Sequence, residues 1–141
     1  MPVYLLDTNV LLAVLLAPER LPETVTASLA NGSNRVYFSA ASIWEVAIKQ
    51  SLRRPDFDFS PEDIHRLALE TGFSELFVKG LDCYPFGRLP LHHRDPFDRM
   101  LISQAQSLPA FLLTTDGVLK QYSELVIHIV MKPSPYRPTA G

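Results

Sequence analysis

A chain of 141 residues, 47% hydrophobic and 20% charged, is long enough to close one hydrophobic core and too apolar to stay disordered. Its 13 basic and 15 acidic side chains leave a net charge of −2, which excludes a generally basic surface, so any nucleic-acid binding has to come from a local patch. The one cysteine, Cys83, excludes an intramolecular disulfide and a cysteine-based zinc cluster, and is expected to pack as a small apolar residue.

The predicted elements alternate between short apolar runs and longer helical ones, the signature of an α/β domain. Val3–Leu6 reads as a strand and Asn9–Ala17 as a helix. A second helix over Pro22–Ala30 ends at Asn31-Gly32, Val36–Phe38 has strand chemistry, and Ala40–Leu52 is helical again. Ser60 before Pro61, with Asp63 three beyond the cap, starts a helix that runs to Gly72. Phe73–Val78 follows as a strand, and Leu81–Pro90 is too mixed to assign. Asp95–Ser107 is helical, Ala110–Thr114 is a buried strand of continuous apolar type, and Val126–Val130 is the last strand. One domain over residues 1–131 is expected, followed by a loose tail from Lys132 to Gly141 with three prolines. No apolar run approaches the roughly 20 residues that span a bilayer and no signal-peptide pattern is visible, so a cytoplasmic location without membrane contact is expected.

"YLLDTNVLL", residues 4–12, places Asp7, Thr8 and Asn9 inside an apolar run. In a mostly parallel α/β sheet the residues just past the strand ends gather along one edge, where such folds bind ligands. Asp7 stands just past the first strand. Glu45 lies in the helix after the second, Asp98 in the first turn of the helix after Leu89–Leu91, and Asp116 just past "FLLTT". Each acid also has a structural reading. Asp7 is placed to cap the first helix. Glu45 has capping-box spacing from Ser42 and ion-pair spacing to Lys49. Asp95-Pro96-Phe97-Asp98 is a helix start, and Asp116-Gly117 is a turn. Capping needs one acid per helix, whereas a divalent metal needs several carboxylates in one place. Mg²⁺ or Mn²⁺ prefers hard oxygen donors, and clustered carboxylates would repel a phosphodiester unless a cation neutralised them. The reaction class this points to is metal-assisted phosphodiester hydrolysis.

Three stretches, "LLDTNVLL", "FSAASIWEVAIK" and "DPFDRMLISQAQSLPAFLLTTD", together with the order and spacing of their acids, resemble PIN-domain proteins. The closer resemblance is to the VapC-type toxin ribonucleases of type II toxin–antitoxin systems, and it extends to about Val130. It implies a three-layer α/β/α sandwich with a central, mostly parallel sheet. It also implies a Mg²⁺- or Mn²⁺-dependent endoribonuclease inhibited by an antitoxin protein. By position, Asp7, Glu45 and Asp98 match the family's three best-defined acids and Asp116 its fourth. Asp7 and Asp98 are then metal ligands, with Glu45 and Asp116 as direct or water-mediated ones. Thr8, Asn9 and Thr115 are polar helpers. Asp95 and Asp98 are alternatives for the third acid; "RMLISQA" follows Asp98 at the family spacing, which leaves Asp95 as N-cap with a supporting role.

Lys49, Arg53, Arg54, Arg94 and Arg99 flank these motifs and are candidates to hold the RNA backbone. For Arg53 and Arg54 the plain reading is a solvated helix face, and Arg99 has the alternative of pairing with Asp95 or an antitoxin carboxylate. His92 and His93 read as loop residues, and Trp44 as core or interface rather than as a base-stacking platform. A haloacid dehalogenase-type phosphatase would need an acid where this chain has Asn9, and a receiver domain would need adjacent acids at the first strand. The remaining rival is a non-catalytic RNA- or protein-binding module whose acids are caps. A homodimer is the expected assembly, with Leu11–Leu16 and Ile64–Leu69 carrying more apolar surface than one sheet face needs.

Overall fold

The computed structural model describes residues 2–52, 59–87 and 95–133. Five strands form one sheet: β1 (Val3–Leu6), β2 (Arg35–Ser39), β3 (Ser74–Leu76), β4 (Phe111–Thr114) and β5 (Val126–His128). Their order is β3-β2-β1-β4-β5, and all four pairings are parallel. The helices are α1 (Thr8–Leu16), α2 (Glu23–Ala30), α3 (Ala40–Ser51), α4 (Pro61–Glu70), the short α5 (Gly80–Cys83) and α6 (Pro96–Ser107).

The central strand explains why the first apolar run is continuous. β1 pairs on both sides and is covered on both faces, so alternate residues enter two different cores. Leu6 joins Phe38, Leu113, Val10, Val46 and Ile64 on the face of α1, α3 and α4. Leu5 joins Leu112, Leu101, Ile102 and Leu119 on the face of α6. The expected three-layer architecture is therefore present, with an all-parallel sheet between the layers.

Helix boundaries follow local chemistry. Ser60 Oγ accepts the N–H of Asp63 at 3.2 Å with Pro61 in the first turn, as its sequence predicts. α4 stops at Glu70, two residues short of the expected Gly72, where φ is +98°, a conformation suited to glycine. Leu81–Pro90 resisted assignment because its elements are too short to show a period: α5 is followed by a 3-10 turn over Tyr84–Gly87. Cys83, expected inside, is exposed, and it is the neighbouring Asp82 that this short helix buries. The strand expected at Leu89–Leu91 lies outside the described residues. Where the loose tail was expected to begin, the Lys132 N–H donates to Arg20 O at 2.7 Å and Arg20 Nε donates back to Lys132 O at 3.1 Å. That pair ties the end of the described chain to the turn after α1. Among the described residues no helix is long and apolar enough to cross a membrane.

Phe38 is the largest side chain in the core with no exposed surface. Phe38→Ala is expected to lower the unfolding free energy by about 3–5 kcal/mol, read from urea denaturation. A loss under about 1 kcal/mol would mean that the layer around β2 collapses into the space, contrary to close packing.

Candidate active site

The winding of the sheet places the site. The chain moves outward from β1 to β2 and β3, then crosses back through α6 to β4 on the other side of β1. The carboxyl ends of β1 and β4 therefore flank the point where winding reverses, the place where open α/β sheets form a crevice.

Asp7 sits at that point and is only 3% exposed. Its Oδ1 accepts the Val10 N–H at 2.7 Å, which makes it the N-cap of α1. Its Oδ2 accepts the Thr115 N–H from the end of β4 at 3.1 Å. The Thr114 hydroxyl also donates to this carboxylate and accepts the Asp116 N–H at 3.0 Å. The capping reading and the site reading of Asp7 thus hold together, since one oxygen starts a helix and the other joins two strands. Burial pushes the carboxyl above its ordinary value of 3.8; the bonds from Thr114, Val10 and Thr115 oppose this, and the nearby charge of Glu45 adds to it.

Glu45 does not form the capping box that its spacing from Ser42 suggested. α3 begins directly after β2, so its N-cap is Ser39, whose Oγ accepts the Ala41 N–H at 3.0 Å, and Ser42 is already inside the helix. Glu45 is instead held from both oxygens. The Thr8 hydroxyl donates to Oε1 at 2.6 Å, and Lys49 Nζ lies 2.8 Å from Oε2, the ion pair expected one turn along. Ser42 Oγ stands 3.0 Å from the Thr8 hydroxyl. Asn9 Nδ2 donates to Thr115 Oγ1 at 3.3 Å, linking the starts of the segments after β1 and β4.

Asp95 is the N-cap of α6, with Oδ1 accepting the N–H groups of Phe97 at 2.9 Å and Asp98 at 3.4 Å. Asp98 lies in the first turn of that helix. Asp116 Oδ1 accepts the Val118 N–H at 3.0 Å and so caps the 3-10 turn over Gly117–Gln121. Asp7, Glu45, Asp98 and Asp116 line one polar cavity of about 230 Å³, together with Asp95 and Lys49 and with Thr8, Asn9 and Thr115. A larger cavity, about 550 Å³, opens among Val14, Leu29, Val36 and Phe73 near the other end of β2, and no ionisable side chain lines it.

The PIN domain family model matches residues 4–125. This chain belongs to the PIN domain family. Among solved structures, its fold is similar to a chain of VapBC2 from Rickettsia felis, a complex bound to a DNA fragment from its promoter. There the TM-score is 0.64 at 15% identity, over 90% of this chain and 98% of the other. It is also similar to a chain of VapBC-1 from nontypeable Haemophilus influenzae, with a TM-score of 0.58 at 20% identity, over 85% and 91% of the two chains. No curated protein sequence matches.

In this PIN domain the expected acids come together, but the expected basic residues are only partly accounted for. Lys49 is at the cavity. Arg99 is not available to RNA: it is 6% exposed, donates from Nη2 to Phe86 O and lies 4.9 Å from the Phe86 ring centroid. It faces inward because α6 turns it toward the 3-10 segment before it, where the guanidinium stacks on an aromatic face. Arg53, Arg54, Arg94, His92 and His93 lie outside the described residues. Thr114 and Ser42 were missed by sequence reasoning. "LLTT" reads as strand followed by helper, and nothing in that run marks which threonine turns toward Asp7.

The donor set suits a hard divalent cation: oxygen atoms only, with one buried carboxylate whose charge is unfavourable where it stands. Among the described residues no three acid, imidazole or thiolate side chains are close enough to hold an ion by themselves. An ion of the Mg²⁺ kind takes one or two carboxylates and fills its shell with water and phosphate oxygens.

The raised Asp7 carboxyl has a consequence for stability. Between 3.8 and its raised value the folded chain binds more protons than the unfolded chain, so the contribution of Asp7 is greatest below 3.8 and is lost as pH rises through the folded value. Asp7→Asn carries no such dependence. Urea unfolding of both proteins in EDTA is expected to show the difference between them moving in favour of Asn from acid to neutral pH. Parallel stability curves would mean that burial leaves the carboxyl unshifted.

Proposed function

We propose that this PIN domain is a Mg²⁺- or Mn²⁺-dependent endoribonuclease and the toxin of a type II toxin–antitoxin pair. The observation that carries this reading is the convergence of acids from four separate segments on one cavity at the reversal point of the sheet. PIN domains are in general nucleases that use divalent metals, and the similarity to chains of two VapBC complexes supports the toxin–antitoxin assignment.

Asp7 and Asp98 would hold the metal, with Glu45 and Asp116 binding directly or through water. Bound there, the ion supplies a Lewis acid for the phosphoryl group and a coordinated water of lowered pKa. The protein's own part is positioning. Val10 and Thr115 fix both oxygens of Asp7, so its carboxylate cannot rotate away. The Thr8 hydroxyl orients Glu45, and Lys49 offsets its charge while adding a cation where a phosphate must approach. An antitoxin that lays a basic side chain into this acidic cavity would neutralise it and exclude RNA. A homodimer draws support from exposed Leu16 and Leu69 on α1 and α4.

The second reading, a binding module with structural acids, has a specific observation in its favour: Asp7, Asp95 and Asp116 each cap a helix or turn. Glu45 supports the first reading. It is buried well inside α3, where Ser39 is already the cap, so capping gives no reason for its presence.

Wild-type protein free of antitoxin is expected to cleave RNA in Mg²⁺ or Mn²⁺ and not in EDTA. Asp7→Asn and Asp98→Asn should each lose more than about a hundredfold, beyond the usual cost of disturbing an outer partner of a metal. Asp95→Asn, which can still cap α6, should stay within about tenfold; a folded Asp95→Asn protein without activity would transfer the third acid to Asp95. Mn²⁺ should also raise the melting temperature of the wild type, because it binds only the folded chain, and leave that of Asp7→Asn unchanged. Metal-independent activity, or none together with no thermal shift, would favour the binding module.

A further inference from the structure

The acid cavity continues into a second space that the proposed chemistry does not use. A groove of about 440 Å³ runs between α3 and α6, with Ile48, Leu52, Pro96 and Phe97 as apolar lining. Glu45, Lys49 and Asp95 line both the groove and the cavity, so the two are continuous. Trp44, Ile48 and Leu52 fall at i, i+4 and i+8 on α3 and are all exposed, Trp44 at 63%. The Trp44 ring meets the Phe97 ring edge to face, with centroids 5.1 Å apart at 74°. Two aromatic rings thus stand braced at the surface, one of them lining a groove that opens onto carboxylates and a lysine.

We infer that this groove is the subsite for the base of a nucleotide adjoining the scissile phosphate, with Phe97 and Trp44 as its stacking platform. The inference rests on the ribonuclease reading and deepens it. A nucleotide has the matching division of chemistry: a flat ring that stacks on aromatic or aliphatic surface, joined to a phosphate that needs a cation. The apolar end of the groove accepts the ring, and Lys49 at the boundary lies where the phosphate passes toward the acids. Base–aromatic stacking is strong and tolerant of sequence, because every base has a π-face. A basic peptide would also meet the acids of the rim, but the paired rings, with a lysine between them and the acids, suit a base joined to a phosphate.

Trp44 is the one tryptophan of the chain, so its emission reports on the ring packed against Phe97 at the edge of this groove. The experiment uses full-length Asp7→Asn protein titrated with short single-stranded oligoribonucleotides of one base each and with an abasic oligomer, binding being followed separately by polarisation of a labelled strand. Trp44 emission should be quenched in step with binding by the oligomers that carry bases and left unchanged by the abasic one. Phe97→Leu in the same background should weaken binding by about tenfold, within the range for loss of one stacked base. In the active chain Phe97→Leu should lower kcat/KM for RNA and flatten preference for the base beside the cut. Ile48→Glu, which places a negative charge at an exposed position in the groove, serves if Phe97→Leu does not fold. RNA binding that leaves Trp44 emission unchanged overturns the subsite, and so does emission that follows protein concentration instead of RNA, which would assign the groove to a second copy. Cleavage by the wild type with a silent Trp44 removes the subsite alone; quenching without cleavage by the wild type removes the nuclease reading alone; absence of both binding and cleavage removes both.

Discussion

The carboxylate of Asp7 is buried at the carboxyl end of the central strand, and the surrounding structure is organised by what that burial requires. An ionised group taken out of water is tolerated only when its oxygens are satisfied. Here one oxygen takes the first free amide of α1 and the other an amide from the end of β4. The Asp7 N–H, in turn, donates to Leu113 O at 2.9 Å. A single residue therefore couples a helix start to the two strands that flank the reversal in winding. The β1–β4 register, Leu5 opposite Leu112 and Leu6 opposite Leu113, brings Thr114 level with Asp7 and the Thr115 N–H within reach of its side chain.

The same economy extends outward. Thr8, the first residue of α1, spends its hydroxyl on Glu45 from α3, so the helix that Asp7 starts also orients the next acid. Thr114 is fully buried and connects the Asp116 amide to Asp7. The acids are thus not independent surface charges. Asp7 and the Asp116 amide share Thr114 in one hydrogen-bonded network, and Glu45 is held beside it by Thr8 and Lys49. Such a network is held rigid by the fold, and its residual charge suits a cation better than it suits an empty cavity.

Much of this was legible from residue order. β1, β2 and β4 are read directly from their apolar runs because strands covered on both faces need no alternation. Asp7, Glu45 and Asp116 were legible because each follows a strand, and a parallel sheet sends all its strand ends to one edge, whereas the strand expected before Asp98 lies outside the described residues. What failed depended on direction. Of the two places expected for Trp44, the core is excluded and an interface is not: Val46 faces inward from α3, and Trp44 shares the exposed side with Ile48 and Leu52. Arg99 reads as a surface cation beside Asp98, yet one step around α6 turns it into the protein. The strand expected over Phe73–Val78 shrinks to Ser74–Leu76, leaving Phe77 and Val78 exposed beyond an edge strand that has a neighbour on one side only. Apolar content gives the element, while burial depends on which neighbours the sheet order supplies.

Capping and catalysis are usually weighed as rival explanations of an acid at a helix start. In this site they are two uses of different oxygens on the same side chain. A carboxylate has more acceptor capacity than one amide can fill, so a cap fixes its orientation at little cost to its capacity for a metal or a water. Asp7, Asp95 and Asp116 all start a helix or turn, and their backbone bonds aim them at one cavity. The helix starts also bring partial positive charge to the place where the carboxylates gather, which lowers the repulsion among them before any cation arrives. Glu45 lacks that help, lying beyond the first turn of its helix, and it is the acid for which the chain supplies a lysine. The capping bonds and the Glu45–Lys49 ion pair therefore follow one electrostatic requirement, that clustered acids be stabilised where they stand.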